Sequence, residues 1–177
     1  MTRPERGVRL RRGALLLAAL VLASLPGAVR ADTHIFIVRH AEKVSGAGVG
    51  NDPGLLPEGR ARAALLRQML RDVPLAAVFT SQYQRTQLTA KPTADDHKLP
   101  LRVHPGADMK SLADTLRAGF KDQNVLVVGH SNTAPELLKL LGVDLELDLQ
   151  DHEYDNLFLV TLDHEGKASV LRLHFGD

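Results

Sequence analysis

No cysteine and no tryptophan occur among these 177 residues, and aromatic side chains make up only 4%. Without thiols there is no disulfide framework, and no lipid-modified cysteine can sit at a processing site. Outside a reducing compartment, such a chain depends on its core alone. A long membrane-spanning run is also missing. The apolar stretch Ala14 to Leu25 falls short of the roughly 20 residues a helix needs to cross a bilayer. Metal-ligand spacing is absent too. His34, His97, His104, His152, His164 and His174 show no H-x3-H pattern and read as surface or satisfied core groups.

The amino terminus has the layout of a secretory signal peptide. Arg3, Arg6, Arg9, Arg11 and Arg12 precede the apolar stretch, and small residues lead to Val29-Arg30-Ala31. The expected division is residues 1–31 as signal peptide, with Ala28 as a second cleavage option, and residues 32–177 as one domain. The Arg11-Arg12 pair raises a twin-arginine route, but the residues around it favour general secretion. The mature chain is then expected in the periplasm or secreted, with no stable membrane insertion.

A basic surplus disappears with that segment. The whole chain carries 22 Lys+Arg against 21 Asp+Glu; residues 1–31 take six Arg and one Glu, leaving 16 against 20, a net charge near −4. Nucleic-acid binding therefore has no electrostatic support.

What is present starts with Ile35-Phe36-Ile37-Val38-Arg39-His40-Ala41-Glu42-Lys43. A short apolar run buried on both faces breaks into charged groups, the pattern of a strand delivering ligands to the crevice of an open α/β sheet. Residues 44–56, rich in Gly, Ser, Asn and Pro, read as a loop over that edge. A helix is expected from Pro57 through Arg71, with Leu65, Leu66, Met69, Leu70 and Val73 as its apolar stripe. Arg60, Arg62, Arg67 and Arg71 form its solvated face. Ala76 to Thr80 is a second strand. Ser81 and Gln84 then have capping-box spacing, opening a helix that ends before Pro92 and carries Arg85 in its first turn. Leu101 to Val103 is a weak third strand, and Met109 to Phe120 a helix. Asn124 to Val128 is a strong strand ending in Gly129-His130-Ser131; Thr133 and Glu136 form a second capping box for a helix to Leu141. Two last strands, Leu157 to Leu162 and Ala168 to His174, face each other across a short turn as an antiparallel hairpin. Alternating strands and helices imply an α/β domain with a mainly parallel sheet covered on both faces.

In a parallel sheet, the C-terminal strand ends share one edge. Arg39 and His40, His130, and Arg85 can therefore converge, and with the free N–H groups near Asn132–Thr133 they make a cradle for a tetrahedral anion. A histidine held against phosphorus can attack it directly, with the cations neutralising the equatorial oxygens and no metal required. A carboxylic acid would protonate the leaving oxygen and then activate water.

Arg39-His40-Ala41-Glu42, Thr80-Ser81 with Arg85-Thr86 and Thr89-Ala90, and Gly129-His130-Ser131 together resemble the histidine phosphatase superfamily, the phosphoglycerate-mutase-like proteins. The likeness is ordered and spans residues 34 to about 141. It implies a three-layer α/β/α fold and a metal-independent phosphatase that hydrolyses phosphoric monoesters through a phosphohistidine on His40. It also implies no cofactor, and a phosphate pocket of Arg39, Arg85, His130 and Ser131. Ala41 stands where the family has Gly, and Leu56 where it has Thr or Ser. For the general acid, Glu42 is preferred over Asp108. The expected partner is a phosphorylated small molecule, an envelope sugar-phosphate or a phosphoprotein. Two competitors remain: a non-catalytic phosphate-binding module of the same fold, and a metallohydrolase using His40 and His130.

Overall fold

The structure, a computed structural model, describes residues 31–176, so the expected signal peptide falls almost wholly outside the described residues. Six strands form one sheet: β1 (Thr33–Arg39), β2 (Leu75–Thr80), β3 (Leu101–Val103), β4 (Asn124–Gly129), β5 (Asn156–Leu162) and β6 (Ala168–His174). Their spatial order is β3-β2-β4-β1-β5-β6. The pairs β1–β4, β2–β4 and β2–β3 are parallel; β1–β5 and β5–β6 are antiparallel, the last being the C-terminal hairpin. Four helices flank it among the described residues: α1 (Pro57–Leu70), α2 (Gln84–Asp96), α3 (Met109–Gly119) and α4 (Thr133–Leu140).

Alternation along the strands assigns the layers. Ile35, Ile37, Val125, Val127, Phe158 and Val160 point to one side, where Met109, Leu112 and Leu116 of α3 and Leu137 and Leu138 of α4 cover them. Val38, Val78, Leu126, Val128 and Leu157 point to the other and meet Leu66 and Leu70 of α1 with Ala90 and Ala94 of α2. The architecture is therefore three-layered α/β/α. Among the described residues, no helix is long and apolar enough to cross a membrane.

Several local expectations are corrected. Helix α2 runs through Pro92 rather than stopping before it. An internal proline forfeits one hydrogen bond and costs about 3 kcal/mol. Thr93 and Ala94, fully buried one turn before the end, give the helix a reason to persist. On α1 the buried stripe is Gly59, Ala63, Leu66 and Leu70; Met69 is 41% exposed, since it falls off that face. Arg62 leaves the solvated face and is drawn inward to Glu42.

Neither capping box forms. Tyr83 is the N-cap of α2 without a side-chain bond, and the Gln84 N–H is taken at 2.8 Å by Oδ1 of Asp52, from the loop. At α4, Thr133 Oγ1 accepts the His130 N–H at 2.8 Å instead of capping its own helix. Both hydroxyls are recruited by a histidine outside the helix, 49 positions away in the case of Ser81, which capping-box spacing does not reveal. The loop itself is stapled at its base: Lys43 bridges Leu55, and Val44 N–H donates to the Gly54 carbonyl at 2.9 Å.

Candidate active site

Register brings the site together. Arg39 lies opposite Gly129 in the β1–β4 ladder, and the His40 N–H continues it to the Gly129 carbonyl at 2.9 Å. The residues that leave these two strands are therefore neighbours. The His40 and His130 rings meet edge-on with centroids 5.4 Å apart. Strand β2 ends level with them, Thr80 opposite Val128, which sets Ser81 against His130. Arg39, His40, Arg85, His130 and Ser131 line one open cleft of about 480 Å³, together with Lys43, Tyr83 and Asp151.

His40 is almost fully buried and its Nδ1 lies 2.8 Å from the Ala41 carbonyl. A carbonyl can only accept, so Nδ1 carries the proton and Nε2 keeps its lone pair. Burial pushes the His40 pKa down to about 3, with His130, Arg39 and Arg85 adding like-charge repulsion against the bond to Ala41. The ring is thus neutral near pH 7, the state a nucleophile requires.

The tautomer of His130 follows from a chain of hydroxyls. Thr86 Oγ1 lies 2.8 Å from the Tyr83 carbonyl and 3.2 Å from that of Ser81, so its proton is committed to acceptors. The Ser81 hydroxyl, 2.9 Å from Thr86 Oγ1, must then donate to it. Toward His130 Nε2, also at 2.9 Å, Ser81 can only accept, which places a proton on Nε2. Burial, then Arg85 and Arg39, bring the His130 pKa down to about 4. This ring is therefore neutral near pH 7. A phosphoryl dianion alongside would favour the cation again.

Both arginines are built in rather than loose. Arg39 is 4% exposed; its Nη1 donates to the carbonyls of Gln150 at 2.7 Å and Glu153 at 3.1 Å. Its guanidinium lies over the Tyr154 ring, while Arg85 lies over Tyr83. The Nε atoms of Arg39 and Arg85 are buried without a hydrogen-bond partner. Orphaned buried donors are costly and rare. Two of them on converging guanidiniums, beside a neutral histidine, make a site prepared for an anion.

Glu42 is not brought to this cleft. Both its oxygens face Arg62, whose Nε lies 2.9 and 3.1 Å away and whose Nη2 lies at 2.8 Å. Two residues past His40, the Glu42 side chain turns toward Arg62 of α1. Asp108 is exposed and caps α3, accepting the Ser111 N–H at 3.0 Å. Asp151, fully exposed and 3.7 Å from Arg39, is the carboxylate that does line the cleft. Among the described residues, no group of three or more His, Cys, Asp and Glu is arranged to hold a metal.

Sequence patterns assign no role to Tyr154 and do not single out Tyr83. Their rings lie 6.1 Å from His40 and 5.4 Å from His130 respectively. One signal was available: the chain has only two tyrosines, and both sit here.

Comparison with known proteins agrees with this geometry. The profile of the histidine phosphatase superfamily (branch 1) matches residues 35–108. An uncharacterized protein of Mycobacterium tuberculosis, Rv0525, is 37% identical over 78 residues, 42% of this chain and 39% of its own length. The matching region thus spans well under half of that relative. Among solved structures, the protein histidine phosphatase SixA complexed with tungstate superposes with a TM-score of 0.67 at 22% identity, covering 80% of this chain and 96% of that one. A mycobacterial glucosyl-3-phosphoglycerate phosphatase, Rv2419c, gives 0.65 at 13% identity over 82% and 100%. At these identities the likeness is one of fold.

Proposed function

We propose that this chain is a histidine phosphatase, the superfamily whose profile matches residues 35–108, and that it hydrolyses phosphoric monoesters through a phosphohistidine on His40. The observation that carries this reading is the fixed state of that ring. Its Nδ1 proton is held by the Ala41 carbonyl, and its neutral Nε2 accompanies two guanidiniums with unpartnered buried Nε–H groups. In the forward step the Nε2 lone pair forms an N–P bond while the P–O bond to the leaving group breaks, the oxygen keeping the electron pair and taking a proton from solvent in the open cleft to leave as the alcohol. Arg39, Arg85 and a His130 that takes up a proton offset the charge on the remaining oxygens. Water then attacks phosphorus as the N–P bond breaks, the electron pair returning to Nε2 and the water proton leaving with phosphate, which regenerates His40.

The substrate in this reading is a phosphate carried by a larger molecule, an envelope sugar-phosphate or a phosphoprotein, met outside the cytoplasm. The open cleft and the amino-terminal signal pattern support it. A neighbouring fold described as a protein histidine phosphatase supports a phosphoprotein.

The competing reading is a phosphate-binding module without turnover. It is favoured by one observation: Glu42 is tied to Arg62 and Asp108 caps a helix, so neither acts at the cleft. Hydrolysis of 4-nitrophenyl phosphate separates the two. The phosphatase reading expects phosphate release in the presence of chelator, loss of release in His40→Ala, and an acid-labile, base-stable phosphoenzyme on His40 trapped by rapid quench. Phosphate binding without any turnover by the wild-type chain would transfer the assignment to the binding module.

A further inference from the structure

We infer that Lys43 forms a second anion subsite at this cleft, selecting phosphate esters that carry another negative group close to phosphorus. The inference rests on the cleft being a phosphate site, and it begins with how the surrounding charges are partnered. Arg39 faces Asp151 at 3.7 Å, Arg85 faces Asp52 at 3.9 Å, and Arg62 faces Glu42 at 2.8 Å. Every arginine at or just behind the cleft thus has a carboxylate. Lys43 lines the same cleft and, among the described residues, has no carboxylate within ion-pair distance. Its sequence neighbour Glu42, the obvious partner, is spent on Arg62.

The position of Lys43 is fixed where it matters. Its backbone pairs with Leu55 in an antiparallel bridge, and the flanking bonds Leu56 N–H to Glu42 carbonyl and Val44 N–H to Gly54 carbonyl, both 2.9 Å, hold the segment from either side. Half-buried and three residues beyond His40, Lys43 is anchored through its backbone to the frame of the site rather than to a loop tip. Size agrees with a second group. At about 480 Å³ the cleft lies in the range of sites for whole small ligands, about 300–1,000 Å³, with space beyond a phosphoryl group. Lysine chemistry fits such a subsite as well, since a compact charge with three rotatable donors accepts a carboxylate, sulfate or second phosphate without demanding a planar fork.

Calorimetry with two phosphonates tests this without depending on turnover. Methylphosphonate fills the phosphate pocket alone, while phosphonoacetate adds a carboxylate. The wild-type chain is expected to bind phosphonoacetate about tenfold more tightly than methylphosphonate, the size of one charge-assisted hydrogen bond. In Lys43→Gln that ratio falls to about one, and in Lys43→Arg, which keeps the charge, it persists. A wild-type ratio near one overturns the inference, as does a ratio that survives Lys43→Gln. Should methylphosphonate bind while 4-nitrophenyl phosphate is never hydrolysed, the phosphatase reading falls and the ratio still decides on Lys43. Failure of the wild-type chain to bind either phosphonate removes the phosphate cleft and this subsite together.

Discussion

Arg39 stacks on Tyr154, its guanidinium carbon 4.3 Å from the ring centre. The same ring lies 6.1 Å from that of His40, so one tyrosine stands beside both the guanidinium and the imidazole. Arg85, Tyr83 and His130 repeat the arrangement on the far side of the cleft, the guanidinium 4.2 Å from its ring. Stacking fixes the guanidinium plane and leaves its N–H edge for an anion, which a flexible cation would have to be ordered to do.

Tyr154→Leu should therefore weaken phosphate binding about fivefold, the equivalent of about 1 kcal/mol for a partly desolvated cation–π contact. Tyr154→Phe should retain the affinity, because the ring face and not the hydroxyl makes the contact. Titration with inorganic phosphate reads both. An equal loss in the two variants would assign the effect to the hydroxyl.

Ser81 is a positioning residue acting through His130. Ser81→Ala removes the acceptor for the Nε2 proton and should lower kcat/KM about tenfold, within the cost of about 1–3 kcal/mol for a stranded donor. Nitrogen NMR of the ring should show loss of the fixed Nε2-protonated form, and Ser81→Thr should restore it. An unaltered tautomer in Ser81→Ala would show that the hydroxyl chain does not govern His130.

The Glu42–Arg62 pair fastens the end of β1 to α1. Arg62 also donates to the Phe175 carbonyl at 2.6 Å, which extends the fastening to the C-terminal segment. Glu42→Gln should cost about 1–2 kcal/mol of stability in urea, with kcat on 4-nitrophenyl phosphate within about twofold of wild type. A fall of a hundredfold or more, the usual order of a lost general acid, would return Glu42 to the chemistry. Gly59→Ala probes the same junction: an added Cβ would stand 2.3 Å from the Glu42 carbonyl oxygen, so destabilisation of about 1–3 kcal/mol is expected.

The buried imidazoles make stability depend on pH. Folding lowers His40 from 6.5 to about 3 and His130 from 6.5 to about 4, mainly through burial. Between about 6.5 and 4 the unfolded chain takes up protons that the folded chain refuses. Stability is therefore full above that window and lost as pH falls through it, at up to about 2.7 kcal/mol per pH unit for two protons. Urea unfolding from pH 7 to 4.5 should show a slope about one proton smaller in His130→Asn. Identical slopes would mean that the ring is solvated in the folded chain.

Legibility differs by residue for physical reasons. His40 and His130 can be placed at one edge because each ends a doubly apolar strand, and parallel strands share an edge. The hairpin is equally open to reading, since alternation and a short turn are local. Helix α2 continues past Pro92 against its local signal, because the gain from seating Thr93 and Ala94 against the sheet lies outside its own periodicity. Ser81 matches a capping box by spacing, yet its hydroxyl goes to an imidazole 49 positions away.

The order of apolar runs and the residues that follow them determined, by themselves, a sheet edge carrying two histidines and two arginines. Hydrophobic burial fixes strands, and strand direction fixes which ends meet. Only the tertiary structure decided which nitrogen of each ring holds its proton, where Glu42 turns, and which tyrosines back the arginines. Those outcomes depend on bonds between side chains of distant segments, whose directions are set after the backbone has packed.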